Sequence, residues 1–347
     1  MNHKKYLLYP VQIPVLFLSM LVLCAGVGVI LGFKRCKRHF VFHEILHPIR
    51  DAYQRTPSLS YILKSSPEEI ADYVTQLNKN GIVHIKSFLT AEEFAEMKND
   101  FEGFVGHIQA NAANVDDEGA GFTEDFFSKK ENAYYSTNPF KYSKQLVKSC
   151  CNKKLTSIIN HYFKADTYIY RAGAARILPI DSTGYGSFQW HHDAWGKSVN
   201  VMFLLSDVGD GDQAMTYVMG SHNIRHSFEK FMRSRLSLDY CKERMTTTPI
   251  FTCKGKAGDL FIFDTNGVHS GNRTAGRARD TFIISYSTGK NHIWRFPFDH
   301  AKAIQYTENG YNPFAKVIAE CKKDPKAPMF PEIRSWVDGV LQINTWI

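Results

Sequence analysis

"SVNVMFLLSDVGDGDQAMTYVMG", residues 198–220, decides the class of fold. An apolar run gives way to a loop of Asp and Gly, and a second apolar run follows at once. No helix continues through Asp207-Val208-Gly209-Asp210-Gly211-Asp212, so the pattern is strand, loop, strand. The same period of two, bounded by Gly, Asp and Asn, recurs outward from it in "DTYIYRAGAARIL" (166–178), "GDLFIFD" (258–264) and "DTFIISYS" (280–287). Several short strands at such spacing predict an antiparallel sandwich or barrel with helices packed outside it.

Those helices lie upstream. In "SSPEEIADYVTQLNKNG", Ser66 is a candidate cap and Pro67 a first helical residue, with Ile70, Val74 and Leu77 on one face before Gly81. "GIVHIKSFL" alternates as a strand. Thr90-Ala91-Glu92-Glu93 then reads as a capping box for a helix carrying Phe94, Met97, Phe101 and Phe104. Residues 107–145 read as a polar loop. The segment 207–212 has the carboxylate density of a calcium loop without its full ligand set, and reads as an exposed connection.

With 347 residues, 44% of them hydrophobic, the chain can bury a large core. Its formal charge of +8 does not imply nucleic acid, because residues 1–60 hold eight Lys or Arg against Glu44 and Asp51 and so carry +6 of it. That charge flanks "IPVLFLSMLVLCAGVGVILGF", residues 13–33, an uncharged run long enough to span a bilayer. A transmembrane helix is expected there, with a cleaved signal peptide as the rival reading. Lys34, Arg35, Lys37 and Arg38 follow the run while Lys4 and Lys5 precede it, which favours a single-pass protein with a cytosolic body. Gly28 and Gly32 form a small-xxx-small pair that permits, without establishing, a homodimer. Seven cysteines with no CxxC point to reduced structural thiols rather than a disulfide framework. The sequon Asn272-Arg273-Thr274 matters only if the body is lumenal.

Chemistry concentrates in "GSFQWHHDAWG", residues 186–196. In an extended chain His191 and Asp193 share a face while His192 turns away. A His-x-Asp pair joined by a distant His makes a facial triad that leaves positions open on iron. His269, directly after an apolar strand, is the preferred third ligand; His222, His226 and His292 remain as alternatives. Trp190 and Trp195 are candidates for the substrate mouth or for packing.

From about residue 70 to 290 the chain resembles the phytanoyl-CoA dioxygenase family of iron(II)- and 2-oxoglutarate-dependent oxygenases. "LNKNGIVHIKSFLTAEEFAEMK", "QWHHDAWG", "NVMFLLSDVGDGDQAMTYVMGSH" and "GKAGDLFIFDTNGVHSGNRT" carry the resemblance, in that order. It implies a double-stranded β-helix (jelly roll), mainly β with flanking helices, and Fe(II) held by His191, Asp193 and His269. It also implies an arginine that pairs with the far carboxylate of the cosubstrate 2-oxoglutarate. Arg277 and Arg279 flank the expected position, where the loop departs from the common spacing. Arg279 is preferred because it opens a strand, and Ser270 and Thr281 are further cosubstrate candidates. The retained Asp193 favours hydroxylation over halogenation. The predicted organisation is an N-terminal flank (1–12), a transmembrane helix (13–33), a basic linker (34–60), a dioxygenase domain (61–295) and a C-terminal extension without assigned role (296–347). Membrane attachment motivates a lipophilic small-molecule substrate, lipid or acyl-CoA. A polar metabolite, a protein side chain, or a non-catalytic binding role on the same fold are the alternatives.

Overall fold

The computed structural model describes residues 66–110, 127–130, 133–136, 143–150, 152–165, 167–179, 189–193, 198–226, 235–271 and 276–288, together with positions 61 and 139. The apolar run at 13–33, the basic linker, the C-terminal extension, the Asn272 sequon, Trp195 and His292 lie outside these residues. Among the described residues no helix is long and apolar enough to cross a membrane.

The chain opens with α1 (Glu68–Asn80), β1 (Ile82–Ile85) and α2 (Ala91–Ala110). Helix α1 buries Ile70, Val74 and Leu77 and ends at Gly81, whose φ of 76° is the left-handed conformation that glycine adopts without cost. The cap differs from expectation: Pro67, whose carbonyl accepts from Ile70 N–H, takes the N-cap position with no side-chain capping bond, and Ser66 falls one residue before it. The capping box of α2 forms as predicted, Glu93 N–H donating to Thr90 Oγ1 at 3.2 Å and Thr90 N–H to Glu93 Oε2 at 2.9 Å.

The expected loop at 107–145 is a correction. Helix α2 runs to Ala110, β2 (Phe127–Lys130) and β3 (Ala133–Ser136) form a hairpin within the stretch, and α3 (Lys144–Cys150) begins before its end. The hairpin is short and polar, so it has no apolar period to read; pairing of β3 with β4 holds it. After α4 (Lys153–Phe163) come β4 (Tyr168–Ile177), β5 (Ser198–Leu204), β6 (Met215–Val218), α5 (Leu238–Lys242), β7 (Ile250–Thr252), β8 (Leu260–Asp264), β9 (His269–Gly271) and β10 (Arg279–Ser287).

Two antiparallel sheets result, one ordered β1-β8-β5-β10-β4-β3-β2 and the other β7-β6-β9. This is a mainly β architecture with flanking helices, consistent with a jelly roll. Alternation along the strands separates two cores. Val201, Phe203, Ile262, Phe282 and Ile284 face the helices and pack on Leu77, Phe101, Ile158 and Tyr162. Met202, Leu204, Phe261, Phe263 and Ile283 face the second sheet and pack on Met215 and Tyr217. Burying a side chain of this size stabilises by roughly 1.5–3 kcal/mol, so the two cores together hold the sheets in place. On the helix side a charged cluster adds a fastening. Asp280 accepts from Arg176 Nε and Nη2 at 2.7 Å each and from Lys98 at 2.6 Å, and Glu102 joins both cations.

The acidic loop is only partly the exposed connection expected from its sequence: Asp210 and Gly211 are exposed, while Val208 and Asp212 are buried. Asp207 pairs with Lys256, Asp210 with Lys254, and Asp212 with Arg277. Cys150, Cys241 and Cys253 are buried free thiols, and the other four cysteines lie outside the described residues. Burial pushes the Cys241 thiol up to about 11, which leaves it inert.

Candidate metal centre

His191 sits between two strands. Its N–H donates to the His269 carbonyl at 2.9 Å and its carbonyl accepts from His269 N–H at 2.8 Å, which pairs the two residues directly across an antiparallel bridge. Directly paired residues project to one face, and the two imidazoles accordingly lie 4.4 Å apart between ring centroids. Asp193, two residues on, is fastened by its N–H to the Thr265 carbonyl at 2.9 Å. Its carboxylate stands 3.1 Å from His191 Nε2 and 3.6 Å from His269 Nε2. One ligand atom from each of the three lies within 4.8 Å of the others. Among the described residues this is the one such group of His, Cys, Asp and Glu.

The donor set fits a metal ion in its protonation as well as its geometry. His191 Nδ1 lies 2.7 Å from the Gln189 carbonyl, and His269 Nδ1 lies 2.8 Å from the Gly267 carbonyl. A carbonyl only accepts, so each Nδ1 carries a hydrogen and each Nε2 is the ring atom turned toward Asp193. Desolvation pushes the Asp193 carboxyl up, but the His269 and His191 imidazoles beside it hold it well below the ordinary carboxylate value. Burial lowers His269, and Asp193 together with the Gly267 carbonyl more than offsets this, while the charge of Arg235 opposes it. The cluster thus concentrates negative potential where a cation would sit.

The turn between β8 and β9 organises this arrangement, and its sequence gave no warning beyond a glycine. Its Thr265 carbonyl holds Asp193, and its Gly267 carbonyl sets the His269 tautomer. Asp264 Oδ2 accepts from Tyr162 of α4 at 2.5 Å, and the Asp264 carbonyl accepts from Tyr217 of β6 at 2.9 Å. Gly267 has no space for a side chain, since a Cβ there would fall 1.8 Å from the Tyr217 hydroxyl.

His192 turns away from the centre as its spacing predicts. It is buried, and it stacks on His226 with centroids 4.5 Å apart, while His226 stacks in turn on Tyr240. His226 is therefore a packing residue, and His222 contacts the Asn78 carbonyl at 3.1 Å, so neither joins the triad. Trp190 is half-buried against a small cluster of Val218, Ile224, Tyr240 and Val268.

The cosubstrate candidates divide. On β10, Arg279 and Thr281 lie at the same alternation as Ile283, which faces the space between the sheets. Arg279 is 7% exposed. Thr281 is fully buried, and its Oγ1 has no hydrogen-bond partner among the described residues. Arg277, by contrast, has a side chain 68% exposed and committed to Asp212 through Nε and Nη2. Ser270 pairs with Thr216 on the face of β9 opposite His269. The structure gathers Arg279 and Thr281 on the interior face and leaves Arg277 and Ser270 off it.

A family model described as "Phytanoyl-CoA dioxygenase (PhyH)" matches residues 77–280, more than half of the chain. Among solved structures, EctD from S. alaskensis in its apoform is 16% identical with a TM-score of 0.50, over 68% of this chain and 85% of that one. AviO1 from Streptomyces viridochromogenes Tue57 is 17% identical with a TM-score of 0.45, over 65% and 97%. The non-heme alpha ketoglutarate dependent epimerase SnoN from nogalamycin biosynthesis is 15% identical with a TM-score of 0.47, over 63% and 83%. At 16% identity the likeness to EctD is one of fold. No curated protein matches the chain.

Proposed function

The chain belongs to the phytanoyl-CoA dioxygenase family of iron(II)- and 2-oxoglutarate-dependent oxygenases, and from that premise we propose that it hydroxylates a C–H bond of a lipophilic small molecule. His191, Asp193 and His269 hold the iron, and Arg279 with Thr281 receives the far carboxylate of 2-oxoglutarate. The observation that carries this reading is the triad itself, with both Nε2 atoms turned to the Asp193 carboxylate by hydrogen bonds from Nδ1.

When bound, iron and 2-oxoglutarate supply the oxidation, in which dioxygen is consumed, 2-oxoglutarate leaves as succinate and CO2, and an oxygen atom enters the C–H bond. The chain's own part is positioning. Carbonyls of Gln189 and Gly267 orient the ligating imidazoles through Nδ1, and the Thr265 carbonyl anchors the Asp193 backbone. A guanidinium fork matches a carboxylate in two parallel bonds, and the Thr281 hydroxyl lies on the same strand face to add a third. Phe263, whose ring centroid lies 5.5 Å from that of His269, joins Met202, Leu204 and Phe261 in the apolar core between the sheets, on which the centre rests.

Support for the lipophilic substrate comes from the apolar run at 13–33 and its basic flanks, which argue for a single-pass anchor with the domain at 61–295 in the cytosol. The family description, which names an acyl-CoA, agrees with that substrate class. Anaerobic addition of Fe(II) and 2-oxoglutarate to the purified chain tests the centre. The expected result is the visible charge-transfer band of a keto acid chelated to iron, and its absence would refute the reading. A substrate screen read out as succinate then tests the class, with lipids and acyl-CoAs set against polar metabolites. Alkaline carbonate extraction tests the anchor, which release of the whole chain from membranes would refute.

A further inference from the structure

The second sheet continues past β9 through His191 to one more position. His191 pairs on its other side with Arg235 in an antiparallel bridge, and Leu236 N–H donates to the Trp190 carbonyl at 2.8 Å. That bond, one residue off the pair, marks Arg235 and His191 as a non-hydrogen-bonded pair, the kind whose Cα atoms are nearer and whose side chains lie closest. Tyr217 and His269 are paired in the same way on the far side, with Val218 N–H donating to the Val268 carbonyl at 2.8 Å. Tyr217, His269, His191 and Arg235 therefore form one cross-strand row on one face of the sheet. The imidazoles in its middle belong to the triad, Tyr217 closes its buried end, and Arg235 stands exposed at its open end.

A permanent cation beside a cation-binding triad works against the metal unless an anion joins them. No ion pair with a carboxylate of the described residues occupies Arg235, and Asp193 is engaged by the two histidines. The far carboxylate of 2-oxoglutarate has its own candidates, Arg279 and Thr281, on β10 of the other sheet. We propose that Arg235 is a specificity-determining residue that binds an anionic group of the substrate, a carboxylate or a phosphate, and so sets the distance between that group and the carbon presented to the metal. The proposal rests on the reading of the triad as the iron centre and adds that the lipophilic substrate carries an acidic head.

The test uses the full chain loaded anaerobically with Fe(II) and 2-oxoglutarate. Octanoate, octyl phosphate and octan-1-ol are titrated against it, followed by the fluorescence of the tryptophans, of which Trp190 adjoins the row, and by perturbation of the charge-transfer band. The two anions are expected to bind about tenfold or more tighter than the alcohol, as one charge-assisted contact predicts. Arg235→Gln is expected to erase that preference and Arg235→Lys to keep part of it, while the affinity for 2-oxoglutarate stays the same. A wild-type chain that does not prefer the anions overturns the proposal, as does a preference that survives Arg235→Gln. Weakened 2-oxoglutarate binding in Arg235→Gln also overturns it, by moving the residue to the cosubstrate. Failure of the iron reading looks different, because the charge-transfer band is then missing before any probe is added. Propionate binding as well as octanoate would keep the anion site and remove the lipophilic tail.

Discussion

Replacing Arg279 by Leu separates the two arginines that the sequence could not. Arg279 is 7% exposed at the start of β10 and shares the interior face with Thr281 and Ile283. A carboxylate held there by a guanidinium is shielded from water, and truncating one partner of such a pair costs about 2–5 kcal/mol. At about 1.4 kcal/mol per factor of ten, the 2-oxoglutarate dissociation constant should rise between roughly 30- and several-thousand-fold. Arg277→Leu removes a solvent-exposed partner of Asp212 and should leave that constant unchanged. Thr281→Val, which deletes one hydroxyl donor, should weaken binding about five- to tenfold. The assay is anaerobic calorimetric titration of 2-oxoglutarate into Mn(II)-loaded protein, with a thermal melt of each apo variant to exclude unfolding. An effect of Arg279→Leu under threefold in a folded protein would refute the assignment, and a larger effect from Arg277→Leu would transfer the role to that residue.

Single substitutions His191→Ala, Asp193→Ala and His269→Ala should each abolish Fe(II) binding by equilibrium dialysis, whereas His192→Ala, which removes a ring stacked on His226, should retain the metal. Loss of iron in His192→Ala would place the ligand register one residue out. Gly267→Ala sets a Cβ 1.8 Å from the Tyr217 hydroxyl and displaces the turn that holds His269, so it should destabilise by about 2–4 kcal/mol in denaturant titration and reduce iron affinity as well. Wild-type stability with tight iron binding would contradict that account of the turn. Asp212 is held well below the usual carboxylate range, first by Arg277 and then by the Gly209 N–H. A depressed carboxyl lends stability above its unfolded pKa near 3.9 and withdraws it as pH falls toward the lower folded value, so Asp212→Asn should flatten the acid limb of the stability curve below about pH 4. Parallel acid limbs for the two proteins would rule out that linkage.

Local sequence determined the elements whose signal is local. The period of two in 168–177, 198–204, 215–218, 260–264 and 279–287 appears as strands, because one face of each buries against a helix layer or the opposite sheet. The Thr90–Glu93 box formed because its two partners lie within one helical turn, and the Ile70, Val74, Leu77 stripe because its one apolar face buries against the sheet. His191 and Asp193 were legible as a pair from i, i+2 geometry, and His269 was preferred from its place after an apolar strand before the family resemblance strengthened it. Tertiary structure alone decided the rest. Strands β2, β3, β7 and β9 show no apolar alternation in their three or four residues, and exist because a neighbouring strand satisfies their backbone. Arg277 and Arg279 are two residues apart and chemically identical; one reaches Asp212 across the surface and the other enters the interior, a difference set by where β10 begins. The row from Tyr217 through His269 and His191 to Arg235 joins four distant parts of the chain, and only the register of their backbone bonds puts their side chains on one face.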